Sequence, residues 1–122
     1  MSTHEIRLIR LDGRGFVVEL RGEFDLHNLE ELRTLLDRVL GLRVPTFVDL
    51  SGVTFVDFHV LQELTTYHLL YAHHLSLCNP SWQVTRSVEA SWLSEWIRFD
   101  SHPGPGVSAV PNEPPARAAA AS

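Results

Sequence analysis

The chain has 122 residues, with 10 Arg and no Lys against 15 Asp and Glu, a net charge of −5 with its 7 His neutral. That length fits one domain with one modest core, and an acidic balance with only scattered Arg excludes broad nucleic-acid binding, which needs a basic stripe. A single cysteine, Cys78, excludes an internal disulfide framework and a cysteine-based zinc cage; no apolar run is long enough for membrane insertion, and Met1–Arg10 alternates in polarity and carries charge, unlike a signal peptide, so the expected compartment is the cytoplasm.

Ile6, Leu8 and Leu11, separated by polar positions, predict a half-buried strand. Asp12-Gly13-Arg14-Gly15 predicts a hairpin turn, because glycine tolerates positive φ. Phe16, Val18 and Leu20 then alternate with Val17, Glu19 and Arg21 as a second strand, which the chain leaves at Gly22-Glu23-Phe24-Asp25. Asn28 and Glu31 have the spacing of a capping box. Leu29, Leu32, Leu36, Val39 and Leu40 follow at helical spacing, and Gly41 ends that helix.

Thr46 to Leu50, β-branched and aromatic between Pro45 and Gly52, predicts a third strand, and Val53 to Val56 continues along the sheet end. Asp57 suits the N-cap of a helix whose Val60, Leu61, Leu64, Tyr67, His68 and Tyr71 share one face. Leu75 to Cys78 predicts a short buried strand, ended by Asn79-Pro80. Ser81 caps a third helix with Val84, Val88 and Trp92 inward, and Trp96 to Phe99 forms a last edge strand or a helical extension. Strands alternating with helices after an opening hairpin predict an α/β fold over residues 4–100: a mixed sheet of four to five strands covered by about three helices. Residues 101–122 hold five of the seven prolines and the run Ala118 to Ala121. Such a segment cannot bury enough surface to offset its backbone entropy, so a disordered tail is expected, with peptide docking through Pro114-Pro115 as the alternative.

Two stretches carry a family resemblance. Gly22-Glu23-Phe24-Asp25-Leu26, followed by Glu31-Leu32-Arg33, resembles the opening of a STAS domain, the fold of anti-sigma factor antagonists. Val48-Asp49-Leu50-Ser51-Gly52-Val53-Thr54-Phe55-Val56-Asp57 resembles the family's central strand and the loop leaving it. Asn79-Pro80-Ser81, with Val84 and Val88-Glu89, is similar to a later strand-to-helix joint. The resemblance implies a STAS-like sheet and a regulatory binding module, not an enzyme and without a cofactor. Its partner would be an anti-sigma factor or related kinase-type regulator, which in the family phosphorylates a Ser or Thr at the start of the helix after the central strand.

A phosphate there adds about two negative charges to the docking surface. Here the family's usual Asp-Ser-Ser/Thr-Gly is replaced by Asp57-Phe58-His59-Val60, so the acceptor position is His59, which has no hydroxyl. Ser51 and Thr54 lie nearby but not at that position. The resemblance therefore implies a docking surface without its serine switch, with Glu23, Asp25, Asn28, Asp57, Phe58, His59, Val60 and Leu61 as partner-binding residues. Two further departures are the glycine-free turn Ala72-His73-His74 and Trp92, where glycine is common.

Other chemistries are weaker. Phe58 is either a partner anchor or a core residue, and His59 with Asp57 could form a small acid–base site, but no nucleophile stands at fixed spacing. His68 and His73 are five apart, about 140° around a helix, instead of the four residues of a metal-binding pair, and no metal site is expected. Cys78 is expected to be a small buried residue. Trp82, Trp92 and Trp96 are expected in the core or in self-association as a homodimer. The alternative function is a ligand-sensing or transporter-associated STAS domain holding a small molecule, nucleotide or lipid in an apolar pocket near Phe58, Val60 and the tryptophans.

Overall fold

The computed structural model describes residues 3–13 and 15–100; the expected tail, 101–122, lies outside them. The elements are β1 (His4–Leu11), β2 (Gly15–Phe24), α1 (Leu29–Leu40), β3 (Thr46–Val56), α2 (Phe58–Leu70), β4 (Leu75–Cys78), α3 (Trp82–Glu89), a 3₁₀ turn (Trp92–Glu95) and β5 (Phe99–Asp100). They form one five-stranded mixed sheet in the order β1-β2-β3-β4-β5. The opening hairpin is antiparallel and the remaining pairings are parallel, as the order of elements predicts.

This strand order decides where the helices go. Each parallel pair is joined by a helix, and right-handed crossovers that all step the same way across a sheet place every helix on one face. Val18 and Leu20 of β2, Val48 and Leu50 of β3, and Leu75 and Leu77 of β4 point to that face. They pack with Leu32 and Leu36 of α1, Val60 and Leu64 of α2, and Val84 and Val88 of α3 in one core. Polar links tie α1 to α2: the Tyr67 hydroxyl donates to Asp37 at 2.6 Å and lies 3.5 Å from the Arg33 carbonyl, and Arg33 meets Glu63 at 3.4 Å. Burial, and then the bond to the Asp37 carboxylate, push the Tyr67 hydroxyl far above its ordinary pKa.

On the opposite face, Arg7, Glu19, Asp49, Cys78 and Asp100 align across all five strands. Cys78 is buried, as expected. Desolvation, followed by the nearby charges of Asp100 and Asp49, raises its thiol from 9.0 to about 12.

Several local expectations change. β2 does not end before Gly22 but runs through Phe24, and it accommodates irregular pairing with β3 near Arg21 and Glu23. β3 is one strand of 11 residues, because its pairing with β2 continues past Gly52. Gly41 does cap α1 but stays right-handed; the left-handed turn residue is Arg43 at φ 59°. The glycine-free end of α2 closes without positive φ, the amides of His74 and Leu75 both donating to the Tyr71 carbonyl. α3 stops at Glu89, and the 3₁₀ turn that follows buries Leu93 and turns Trp92 outward, which corrects its expected inward position. Among the described residues, no helix is long and apolar enough to cross a membrane.

Leu50→Ala leaves a cavity between sheet and helices and is expected to cost about 2–5 kcal/mol in urea denaturation. Between pH 9 and about 12 the unfolded chain releases the Cys78 proton while the native chain keeps it. Stability is therefore full below pH 9 and falls as pH rises through this window; Cys78→Ala should flatten that fall in denaturation curves recorded against pH.

Candidate functional site

The C-terminal ends of β2 and β3 lie side by side, with Phe24 paired to Val56. What leaves each strand there forms the candidate surface. At Gly22 the backbone adopts φ 92°, and a Cβ would collide with the carbonyl of Thr3, the residue just before β1. The glycine of the Gly-Glu-Phe-Asp stretch thus lets the hairpin partner approach, and the Glu23 amide donates to that same carbonyl at 3.0 Å.

Beyond Phe24 the chain turns around Asn28. Its side-chain oxygen accepts from the Asp25 amide at 3.0 Å, and its side-chain NH₂ donates to the Glu23 carbonyl at 2.9 Å. Asp25 accepts from the His27 amide at 2.9 Å. Asn28 is buried, so both bonds are made away from water. The capping box is therefore not formed: Asn28 makes no side-chain cap of α1, because its short amide finds loop partners closer at hand. Glu31 instead accepts from His4 Nε2 at 2.7 Å.

The Asp57 amide donates to the Phe24 carbonyl at 3.0 Å and joins this loop to the start of α2. Asp57 caps the helix as expected, one carboxylate oxygen accepting from the Val60 amide at 3.0 Å. The His59 ring lies 4.0 Å from the other oxygen, outside hydrogen-bond reach. The acid–base pair considered from the sequence is thus not assembled.

The eight expected contact residues separate by burial. Val60 and Leu61 are core residues, 0 % and 2 % exposed, because they fall on the helix side facing the sheet. They hold the surface from beneath and cannot touch a partner or line a pocket, and buried Asn28 shapes the loop in the same way. Glu23, Asp25 and Asp57 are partly or fully accessible, and Phe58 and His59 point outward. At 40 % exposure Phe58 is a surface residue, and its ring centroid lies 6.1 Å from that of Trp92, tilted by 58°.

Trp92 and Trp96 are 59 % and 52 % exposed, so a core position is overturned for both. Trp82 is half-buried and carries the Arg86 guanidinium over its ring. Sequence reasoning missed that Trp92 adjoins Phe58, 34 positions earlier, and that Leu26 and Phe55 are also exposed apolar residues at the ends of β2 and β3. The density of aromatic residues after Ser81 was the one available signal. Among the described residues, no cluster of three or more His, Cys, Asp or Glu could hold a metal.

A sequence profile of the STAS domain matches residues 5–104. Among solved structures, the anti-sigma factor antagonist SpoIIAA in its unphosphorylated form is similar, with 22% identity and a TM-score of 0.58 over 80% of this chain and 90% of that one. No curated protein matches the chain.

Asp57→Ala removes one cap bond and is expected to cost about 1 kcal/mol. Asn28→Ala strands buried polar groups in the loop and is expected to cost about 1–3 kcal/mol. Urea midpoints of the two variants give this order.

Proposed function

The chain belongs to the STAS domain family, and we propose that it is a non-enzymatic module of the anti-sigma factor antagonist type, acting in the cytoplasm by binding an anti-sigma factor or related kinase-type regulator. The contact face consists of the Glu23–Asp25 loop with Asp57, Phe58 and His59 at the start of α2, over a domain of residues 4–100. One observation carries this reading: the loop and the helix start are joined at the C-terminal end of β2 and β3, and the side chain displayed at the acceptor position is His59, 61 % exposed.

Two consequences follow from that side chain. Binding is constitutive with respect to serine phosphorylation, since no hydroxyl stands at position 59. Phe58, a large and partly exposed apolar side chain at the centre of this face, is the energetic anchor, because aromatic residues carry disproportionate binding energy at contact centres. The ligand-holding alternative is disfavoured by Val60, which is sealed in the core and unavailable to line a pocket.

Phe58→Ala is expected to weaken binding to the regulator by about tenfold or more in titration calorimetry, with urea stability little changed. Incubation with ATP and the regulator should leave the intact mass unaltered. Absence of binding to every anti-sigma and kinase-type regulator tested would overturn the proposal.

A further inference from the structure

We propose that two copies of this chain pair through β1, edge to edge and antiparallel, so that their two sheets become one continuous sheet. Among the described residues β1 pairs with β2 alone. It is the long outer strand of the sheet, eight residues against the two of β5. Its register with β2 is unbroken, and His4–Leu11 contains no Pro, Gly or Lys. Bulges, prolines and lysines are the devices that keep edge strands from pairing. The direction of the backbone groups follows from one bond. The Glu23 amide donates to the Thr3 carbonyl at 3.0 Å, so Thr3 stands at a hydrogen-bonded position of the hairpin. Such positions alternate along an antiparallel pair. Glu5, Arg7 and Ile9 therefore turn their N–H and C=O groups toward β2, and Ile6 and Leu8 turn theirs outward. The Leu8 side chain is 46 % exposed, and Ile6 is only partly buried against the core.

Charge complementarity selects a second copy as the occupant. About a twofold axis beside Ile6, the outward groups of Ile6 meet those of the partner's Ile6. Glu5 of one chain then stands directly opposite the partner's Arg7, and Arg7 opposite the partner's Glu5, both pairs on the face away from the helices. Opposite charges directly across a strand pair stabilise it, and like charges destabilise it. The next register in one direction sets Arg7 against the partner's Arg7, and in the other direction Glu5 against the partner's Glu5. β1 is thus complementary to itself in one register. The two β1 strands run oppositely in such a dimer, and so do the two β2 strands. The C-terminal ends of β2 and β3 then point to opposite ends of the pair. Under the proposed function the two contact faces stand apart, and one dimer holds two regulators; that consequence rests on the partner reading, whereas the pairing does not.

The test follows the full chain alone by sedimentation equilibrium from micromolar to millimolar concentration. The mass is expected to rise from that of one chain, 13.8 kDa, toward twice that value. Glu5→Arg and Arg7→Glu each reverse both charge pairs of the dimer and are expected to weaken association by about tenfold or more. Mixing the two variants in equal amounts is expected to restore it, since opposite charges then face each other again at both pairs. In the wild-type chain, deuterium exchange at the Ile6 amide should slow as concentration rises, a readout that needs no substituted chain. A single-chain mass throughout, undiminished association of either variant, a mixture that associates no better than its components, or Ile6 exchange independent of concentration would overturn the proposal. No regulator is present, so failure here leaves the proposed regulator binding standing, and failure of regulator binding leaves this contact standing.

Discussion

The structure depends on one topological constraint: the sheet is laid down in chain order, and each parallel step is made by a right-handed crossover. All three helices must then share one face, and the loops leaving the parallel neighbours β2 and β3 must emerge together at one end of the sheet. The core follows, since Val18, Val48 and Leu77 have no other apolar layer to meet than α1, α2 and α3. The candidate surface follows as well. A single backbone bond from the Asp57 amide to the Phe24 carbonyl then sets the spacing between the loop and the helix start.

The chemistry of that end of the sheet is set by residue size. A small hydroxyl residue and a glycine at the start of a helix would leave backbone accessible and a modifiable group exposed. Phe58 and His59 instead cover the helix start, and Phe58 leans on Trp92. Position 59 offers an imidazole and no hydroxyl. The acids that would have repelled a phosphate, Asp25 and Asp57, are employed in local structure: each accepts a backbone amide of its own turn.

Most of the fold was legible because its signals are local. The alternation in β2, the helical spacing of Leu29, Leu32 and Leu36, and the oxygen-bearing caps Asp57 and Ser81 each depend on neighbours a few residues away. The errors arose where a local signal had a competitor. Asn28 and Glu31 have capping-box spacing, but the Asn28 amide reaches Glu23 and Asp25 within the loop, and Glu31 reaches His4 on a strand 27 positions earlier. Trp92 fits the inward phase of a continued α3. The helix instead stops at Glu89, and the tighter 3₁₀ turn, capped by the Ser91 hydroxyl, changes the phase so that Leu93 is buried in its place.

By itself the sequence determined the order and type of the elements as far as α3, the family, and the absence of a hydroxyl at position 59, because these reside in residue identity and short-range spacing. Only the tertiary structure decided which of the marked residues face outward, that Val60 and Leu61 belong to the core, and that Phe58 meets Trp92. Those outcomes depend on the direction from which a helix packs against the sheet and on contacts between distant positions, and short-range periodicity carries no information about either.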